Sequence, residues 1–210
     1  MSLTKPMSRP RTKPKAGYHH GDLESALILE AKRLVAKNGV ENISLRQIAV
    51  SLGVSPSAAY HYFPDKDALL KAAAKSVFEE MASFQEAQLA QFGQTSALAA
   101  RRRFRTLGLS YVEYAKRNPN LFRLCFGPYC GGFDMAREES RPWQLLVSCM
   151  DDLFSFGEVH PKMRPHAEIL AWSAIHGAAT LVLDQLIPDE AVESIADSIE
   201  LALKSPGKVS

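Results

Sequence analysis

Cysteine is scarce in this sequence, and the motifs that covalent or metal chemistry requires are missing. The 210 residues include three cysteines, Cys125, Cys130 and Cys149. Such an odd and sparse set argues against a disulfide framework and favours a reducing, cytoplasmic compartment. No H-E-x-x-H, G-x-S-x-G or Walker motif occurs, and the spacing of His160 and His166 does not suit a metal site. We therefore expect no enzyme activity, no catalytic residue, no metal and no cofactor.

Uninterrupted hydrophobic runs are also missing. The most apolar window, residues 169–187, is long enough to cross a bilayer but contains His176, Asp184 and Gln185. Nothing near the start has the apolar core of a signal peptide. We interpret the window as a buried helix rather than a transmembrane segment, and we expect no membrane partner.

The formal net charge is only +2, but charge is unevenly distributed along the chain. Residues 1–70 contain ten Lys and Arg against six Asp and Glu, and residues 1–16 contain five of these basic residues, three prolines and no acid. We therefore expect residues 1–16 to be a flexible basic arm. Two interpretations stay open: a solvated tail or cloning remnant, and an arm that adds phosphate contacts to a nearby nucleic-acid site.

Three short helices are predicted after this arm. Asp22 is expected to cap the first helix, and Gly39 follows its last turn as a stop. Ser44–Gln47 has the capping-box spacing that starts a second helix of about two turns. Ser55 caps a third helix over residues 56–63, which has proline at its first position. Two very short helices joined by a glycine turn are typical of a helix-turn-helix.

The third helix has an unusual outer face. Ala59 and Phe63 should pack inward, whereas Ser57, Tyr60 and His61 should face outward. Hydroxyls and an imidazole suit phosphate oxygens and base edges better than they suit a merely solvated surface. The alternative is a small helical corner whose tyrosines only close a core.

With these residues the sequence resembles the TetR-type (tetracycline-repressor-like) transcriptional regulators. The resemblance lies in GYHHGDLESALILEAKRLVAKNGVENIS, residues 17–44, and in ISLRQIAVSLGVSPSAAYHYFPDKDALL, residues 43–70. It implies an all-α homodimer in which residues 17–66 form a helix-turn-helix domain that binds a palindromic operator in double-stranded DNA. Residues 67–204 would form a larger helical domain for ligand sensing and dimerisation.

The resemblance also implies which residues contact DNA. The expected contacts divide into phosphate contacts from Ser44 and Lys66, backbone or base contacts from Tyr60 and His61, and an approach to the groove by Arg46, Ser55, Pro56 and Ser57. Lys66 also follows Asp65, the expected cap of the next helix, so its charge lies near free N–H groups that suit a phosphate. The sequence departs from the family at Ala59, where a larger aliphatic residue is usual.

Five longer helices are predicted in the remainder of the chain. They cover residues 65–92, 97–117, 141–157, 162–187 and 190–203. The fourth is apolar nearly all round and the fifth has one apolar face, and the core of one small subunit cannot cover both. We therefore expect a homodimer through residues of about 162–203.

A second, shorter resemblance lies in AWSAIHGAATLVLD, residues 171–184. It is similar to the Trp-His-Gly type of TetR C-terminal domain through Trp172, His176 and Gly177. Trp172 or His176 would then border a ligand pocket or the dimer interface. The alternative is a core tryptophan and a hydrogen-bonded buried histidine, with Gly177 allowing close helix approach.

Aromatic residues are frequent in the C-terminal part. The candidate ligand-binding residues are Phe104, Tyr111, Phe122, Trp143, Phe154, Trp172 and His176. This composition suits a pocket for a small apolar effector, although an ordinary helical core has it too. The leading hypothesis is a dimeric repressor that such an effector releases from its operator. The alternative is a helical interaction module without specific DNA reading.

Overall fold

The computed structural model describes residues 20–93, 95–127 and 140–204, with side chains from residue 23 onward. Every regular element in these residues is helical, which confirms the predicted all-α class. None of the described helices is both long enough and apolar enough to span a membrane. The predicted arm, residues 1–16, and Cys130 lie outside the described residues.

The described residues form nine α-helices and one 3-10 turn. They are α1 (His20–Asn38), α2 (Leu45–Ser51), α3 (Pro56–Tyr62), α4 (Lys66–Leu89), α5 (Ala97–Arg117), α6 (Pro119–Phe126), α7 (Arg141–Ser155), the 3-10 turn Arg164–His166, α8 (Ala167–Leu183) and α9 (Ala191–Lys204).

Side-chain caps set the starts of the short helices in the N-terminal part. Ser44 accepts a hydrogen bond from the Gln47 backbone N–H at 3.2 Å, and Ser55 accepts one from the Ala58 N–H at 3.2 Å. Asp65 caps α4 through the Ala68 N–H at 2.7 Å. These three caps confirm the predicted starts, because each one pairs an N–H group that the helix itself leaves unpaired.

Two boundaries in this part differ from the prediction by one or two residues. Helix α1 begins at His20, two residues before the expected cap Asp22. Helix α3 ends at Tyr62, and Phe63 already has an extended backbone because Pro64 follows it.

The C-terminal helices required larger corrections. Helix α4 ends at Leu89 rather than at residue 92. Helix α6 was not predicted, because Pro119 was interpreted as a stop after α5. In the structure Pro119 is the first residue of α6, where a missing N–H has no cost.

The predicted helices over residues 141–157 and 162–187 are both too long. Helix α7 ends at Ser155, and Gly157 adopts a left-handed φ of 73° just beyond it. Helix α8 ends at Leu183 because Gln185, with φ of 57°, reverses the chain. The Leu186 N–H then donates to the Leu181 carbonyl at 2.9 Å, which closes the helix end as a Schellman motif does.

Helix α4 belongs to both parts of the molecule. It packs against α1 and also against α5, α6 and α7. The buried ammonium of Lys32, on α1, donates to Ser76 Oγ at 2.9 Å and pairs with the Glu80 carboxylate. Because Ser76 and Glu80 lie on α4, this contact holds the N-terminal helices to the helix that continues into the larger part.

A partly buried hydrogen-bond chain joins α5 to α8. The Trp172 indole N–H donates to the Tyr111 hydroxyl oxygen at 3.4 Å, and that hydroxyl lies 2.8 Å from Nδ1 of His176. Indole can only donate, so the Tyr111 oxygen accepts from it. The direction of the second bond, between the Tyr111 hydroxyl and Nδ1, depends on the tautomer of His176.

The ionisation of this chain follows from its burial. Loss of solvent lowers the pKa of His176 and raises the pKa of Tyr111 well above its usual range. Both side chains are therefore uncharged at neutral pH. The imidazole is also enclosed by the rings of Phe122 and Phe126, with centroids 5.5 and 4.6 Å away.

The lowered pKa of His176 predicts a loss of stability in mild acid. Above its ordinary pKa of 6.5 the imidazole is neutral in both states and has no effect. Below that pH the unfolded chain binds the proton first, so the free energy of unfolding falls until the folded pKa is reached. A His176→Asn variant keeps an acceptor for Tyr111 but cannot titrate, so its melting temperature should fall less between pH 7 and 5 than that of the wild type.

Thermal melts at several pH values check this difference. The control is Ser194→Ala, since Ser194 is exposed on α9 and has no titratable group, so its replacement should leave the pH dependence unchanged. Equal slopes for wild type and His176→Asn would contradict the neutral, buried imidazole.

Candidate functional site

The outer face of α3 is the first candidate site. Ala59 and Phe63 are 0% and 6% exposed and pack inward, whereas Ser57, Tyr60 and His61 are exposed. This is the predicted arrangement of the two faces. Half of the Tyr60 surface, 51%, is open to solvent although the residue lies on a two-turn helix packed against α2. The small Ala59 lets α3 lie close to its support while the larger side chains point away.

The predicted DNA contacts at the starts of α2 and α3 also have structural roles. Ser44 Oγ caps α2 and donates to Gln47 Oε1 at 3.0 Å. Ser55 Oγ caps α3 and lies 3.1 Å from Ser57 Oγ. Pro56 occupies the first position of α3, and Arg46 is exposed on α2. Of this group, Arg46 is the side chain that can bring positive charge to a phosphate.

Lys66 has a structural contact that the sequence did not predict. Its ammonium donates to the Val40 carbonyl at 2.8 Å. Val40 lies in the segment between α1 and α2, so the contact ties the start of α4 to that segment. The proposed phosphate contact from Lys66 would therefore come in addition to a role in holding the three helices together.

The second candidate site is a cavity in the larger part, lined by residues of α4 to α9. Its volume is about 60 Å³. The aromatic side chains in its wall are Phe104, Tyr111, Phe126, Trp143 and Trp172. The two indoles meet edge to face, with ring centroids 5.9 Å apart. A flat apolar group would find ring faces and ring edges on several sides of this space.

The candidate ligand residues divide into three groups. Phe104, Tyr111, Trp143 and Trp172 line the cavity, whereas Phe122 and His176 pack behind Tyr111 and Phe126 as a second layer. Phe154 is wrong as a ligand residue: it is 41% exposed, on the outer side of α7, with the Arg164 guanidinium 6.0 Å from its ring. The residues that α7 buries are Cys149, Met150 and Leu153.

The most informative cavity residue was missed in the sequence. Gln85 is 2% exposed, and its Nε2 donates to the Leu107 carbonyl at 3.2 Å. No described residue donates to its Oε1. A signal was present: Gln85 continues the four-residue spacing of Val77, Met81 and Leu89, so a polar side chain stands in the buried stripe of α4.

Arg105 was also missed, and it lies at the partly exposed rim of the cavity. Its guanidinium pairs with Glu193, with Asp197 at 2.6 Å and with Glu200 at 3.5 Å. The hydrogen bonds to Asp197 and Glu193 outweigh the effect of partial burial and raise the pKa of Arg105. One cation on α5 is thus shared by three carboxylates on α9.

The described cysteines are not arranged for reactivity. Burial raises the pKa of the Cys149 thiol to about 11, so it is protonated at neutral pH and is a poor nucleophile. Cys125 is buried, and its thiol donates to the Ala74 carbonyl at 3.6 Å. In the described part of the chain, no group of three His, Cys, Asp or Glu side chains is placed to hold a metal ion.

The reasoning that led to the dimer prediction is wrong for α9. Its apolar face was expected to need a second copy, but Val192, Ala196, Ile199 and Leu203 are buried inside the subunit, where α9 packs against α5 and α8. The exposed apolar side chains of the last two helices are others: Ile169, Leu181 and Leu201, at 38%, 39% and 67% exposure. The homodimer itself stays a prediction, through this outer face rather than the inner one.

Comparison with known proteins places both parts of the chain in one family. The family model described as bacterial regulatory proteins, tetR family, matches residues 27–73, and the tetracyclin repressor-like C-terminal domain matches residues 104–205.

Two named relatives share part of the sequence. The chain is 28% identical over 94 residues to the nucleoid occlusion factor SlmA of Haemophilus ducreyi, which covers 45% of this chain and 44% of that protein. It is 35% identical over 71 residues to the HTH-type transcriptional repressor Rv1474c of Mycobacterium tuberculosis, which covers 33% and 38%. The chain therefore spans less than half the length of these relatives.

Solved structures extend the similarity to nearly the whole chain. A protein of unknown function from Rhodococcus sp. RHA1 is 29% identical, with a TM-score of 0.72 over 90% of this chain and 98% of that one. A TetR family transcription regulator from Marinobacter aquaeolei VT8 shares the fold at 21% identity, with a TM-score of 0.60 over 86% and 94%. Since family models match both its N-terminal and its C-terminal part, the chain belongs to the tetR family of bacterial regulatory proteins.

Proposed function

We propose that the protein is a dimeric, sequence-specific DNA-binding regulator of transcription, and that it is a repressor which a small effector releases from a palindromic operator. The observation that carries this proposal is the outer face of α3, with exposed Ser57, Tyr60 and His61 on a tetR-family helix-turn-helix. The name of the relative Rv1474c, an HTH-type transcriptional repressor, supports repression rather than activation.

The side chains of this face suit the major groove. A groove about 12 Å wide admits a helix, and hydroxyl and imidazole groups can meet both phosphate oxygens and base edges. Arg46 on α2 adds an exposed positive charge beside α3. In a two-fold dimer the two α3 helices would lie about one DNA turn apart, which is why the operator should be an inverted repeat.

Helix α6 offers a route by which an occupied cavity changes the DNA-binding part. Phe126 at its end lines the cavity. At its beginning, Asn120 Nδ2 donates to the Ala36 carbonyl near the end of α1 at 2.9 Å. A ligand that displaces Phe126 would therefore shift α1, and with it the position of α3. An effector that prefers the shifted state would lower the population that matches the operator spacing.

The second copy is proposed to pack on the outer faces of α8 and α9. Small uncharged residues, Ser173 and Gly177 on α8 and Ser198 on α9, accompany the exposed Ile169, Leu181 and Leu201 there. Small side chains let helices from two subunits approach closely, and exposed apolar side chains gain from being covered. The resulting arrangement is a four-helix interface.

The first test is to recover and sequence the genomic fragments that the purified protein retains. We expect enrichment of a short inverted repeat. On that repeat, Tyr60→Phe should weaken binding about tenfold, because it removes a hydroxyl that bonds to a charged or polar group of the DNA. Arg46→Ala should reduce the slope of log K against log salt by about one, as expected for one lost phosphate contact.

The matched control for Arg46→Ala is Lys75→Ala. Lys75 is exposed on α4, so its replacement removes the same charge from outside the helix-turn-helix. Lys66 is left unchanged because its ammonium supports the Val40 carbonyl. If Arg46→Ala and Lys75→Ala had the same slope, the DNA-binding face would be wrongly placed. A pool without enrichment would favour the interaction module instead.

The dimer interface has its own test in Gly177→Glu. A side chain at this position meets no atom within 4 Å inside the subunit, and replacing glycine inside a helix favours the helix by up to about 1 kcal/mol. The variant should therefore fold, but as a monomer, because two carboxylates would be buried between the copies. Light scattering after size exclusion gives the mass, and circular dichroism confirms the fold.

The control is Gly177→Ala, which adds only a methyl group and should remain dimeric or dissociate weakly. A Gly177→Glu protein with the mass of a dimer would show that the interface lies elsewhere.

A further inference from the structure

We infer that the effector is an uncharged, small aromatic molecule with an N–H or O–H group that donates a hydrogen bond to Gln85 Oε1. The inference rests on the proposed function only in that the cavity of α4 to α9 is taken as the effector site. It adds the chemical class of the ligand, which follows from the groups that the cavity leaves unpaired.

The Gln85 side-chain oxygen is the polar atom that needs a partner. Among the described residues none donates to it, although the side chain is 2% exposed and lies in the cavity wall. The amide cannot simply be turned over, because its Nε2 donates to the Leu107 carbonyl and a turned amide would place two oxygens face to face. A buried acceptor without a donor is destabilising, so a ligand that supplies the donor gains affinity.

Two neighbouring donors in the wall are already engaged. The Trp172 indole N–H donates to Tyr111, and the Tyr111 hydroxyl is hydrogen-bonded to His176. Neither can turn to Gln85 without breaking the chain that joins α5 to α8. Since no described residue donates to Gln85 Oε1, we take the donor to come from a molecule inside the cavity.

Charge at the rim excludes an anionic ligand. Arg105 is the one basic side chain among the described residues of the cavity wall, and it is surrounded by the carboxylates of Glu193, Asp197 and Glu200. A carboxylate or phosphate would have to compete with these three groups for one cation. A cation deep inside would lose its solvation among aromatic rings. An uncharged ligand avoids both of these costs.

The volume limits the size of the ligand. The cavity measures about 60 Å³, less than half of the roughly 150 Å³ in an engineered apolar cavity that takes benzene. The enclosed part is therefore too small to surround a whole ring, so a small aromatic ligand would extend from it toward the rim at Arg105 and Glu200.

Phenol and anisole test the donor directly. Anisole keeps the ring and the oxygen but has no O–H, so calorimetric titration of the full chain without DNA should give phenol an affinity about tenfold higher. In a Gln85→Met variant the preference should disappear, because the acceptor is gone while the side chain keeps its length. The control is Gln88→Met, the same change on α4 in a residue outside the cavity wall, and it should keep the wild-type preference.

Benzoate and benzylammonium test the charge. Both should bind at least tenfold more weakly than phenol, the first because Arg105 is neutralised and the second because its charge would be buried. Tighter binding of either ion than of phenol would overturn the neutral class.

Three further results would overturn the donor assignment. The first is equal affinities of phenol and anisole for the wild type, as expected if a water molecule satisfies Gln85. The second is a preference for phenol that survives Gln85→Met. The third is no binding of either compound at millimolar concentration. Each is measured on the protein without DNA. Failure to enrich an operator would therefore leave this inference standing, and failure of the ligand series would leave the DNA-binding proposal standing.

Discussion

The whole arrangement depends on α4 being one continuous helix that is buried in two places. Its N-terminal end is capped by Asp65 and held to the α1–α2 segment by Lys66, and its later turns contribute Met81 and Gln85 to the larger part. A helix transmits displacement along its axis because its backbone hydrogen bonds resist bending. The helix-turn-helix part and the cavity are therefore joined by one continuous helix.

The connection is made twice, once by α4 and once by α6. Lys32 reaches Ser76 and Glu80 from α1, while Asn120 reaches Ala36 from α6. Both contacts end on α1, and α1 also packs against α2 and α3. A change in the cavity that shifts α6 relative to α4 would therefore change the position of α3 through α1, without direct contact between the cavity and α3.

The polar groups around the cavity are of two kinds: a chain of side chains that hydrogen-bond to one another, and the buried Gln85 Oε1, to which no described residue donates. Trp172, Tyr111 and His176 pair with one another, which fixes the wall. Gln85 Nε2 donates to the Leu107 carbonyl, whereas none of the described residues donates to Gln85 Oε1. A buried polar atom without a hydrogen bond has a stability cost, and this atom is the feature from which the donor group of the effector is inferred.

Local features could be predicted from the amino-acid sequence alone: the all-α class, the three capped starts at Ser44, Ser55 and Asp65, and the inward and outward faces of α3. These depend on interactions within a few residues, which a linear pattern contains. Helix α6 could not be predicted in this way, because a proline can follow the end of one helix and can equally occupy the first position of the next. Three other features follow from the packing of distant helices: α9 buries its apolar stripe inside the subunit, Phe154 faces outward, and none of the described residues donates to Gln85 Oε1. Each of them depends on which distant helix lies opposite, and the side chains of one helix do not specify the neighbour that will cover them.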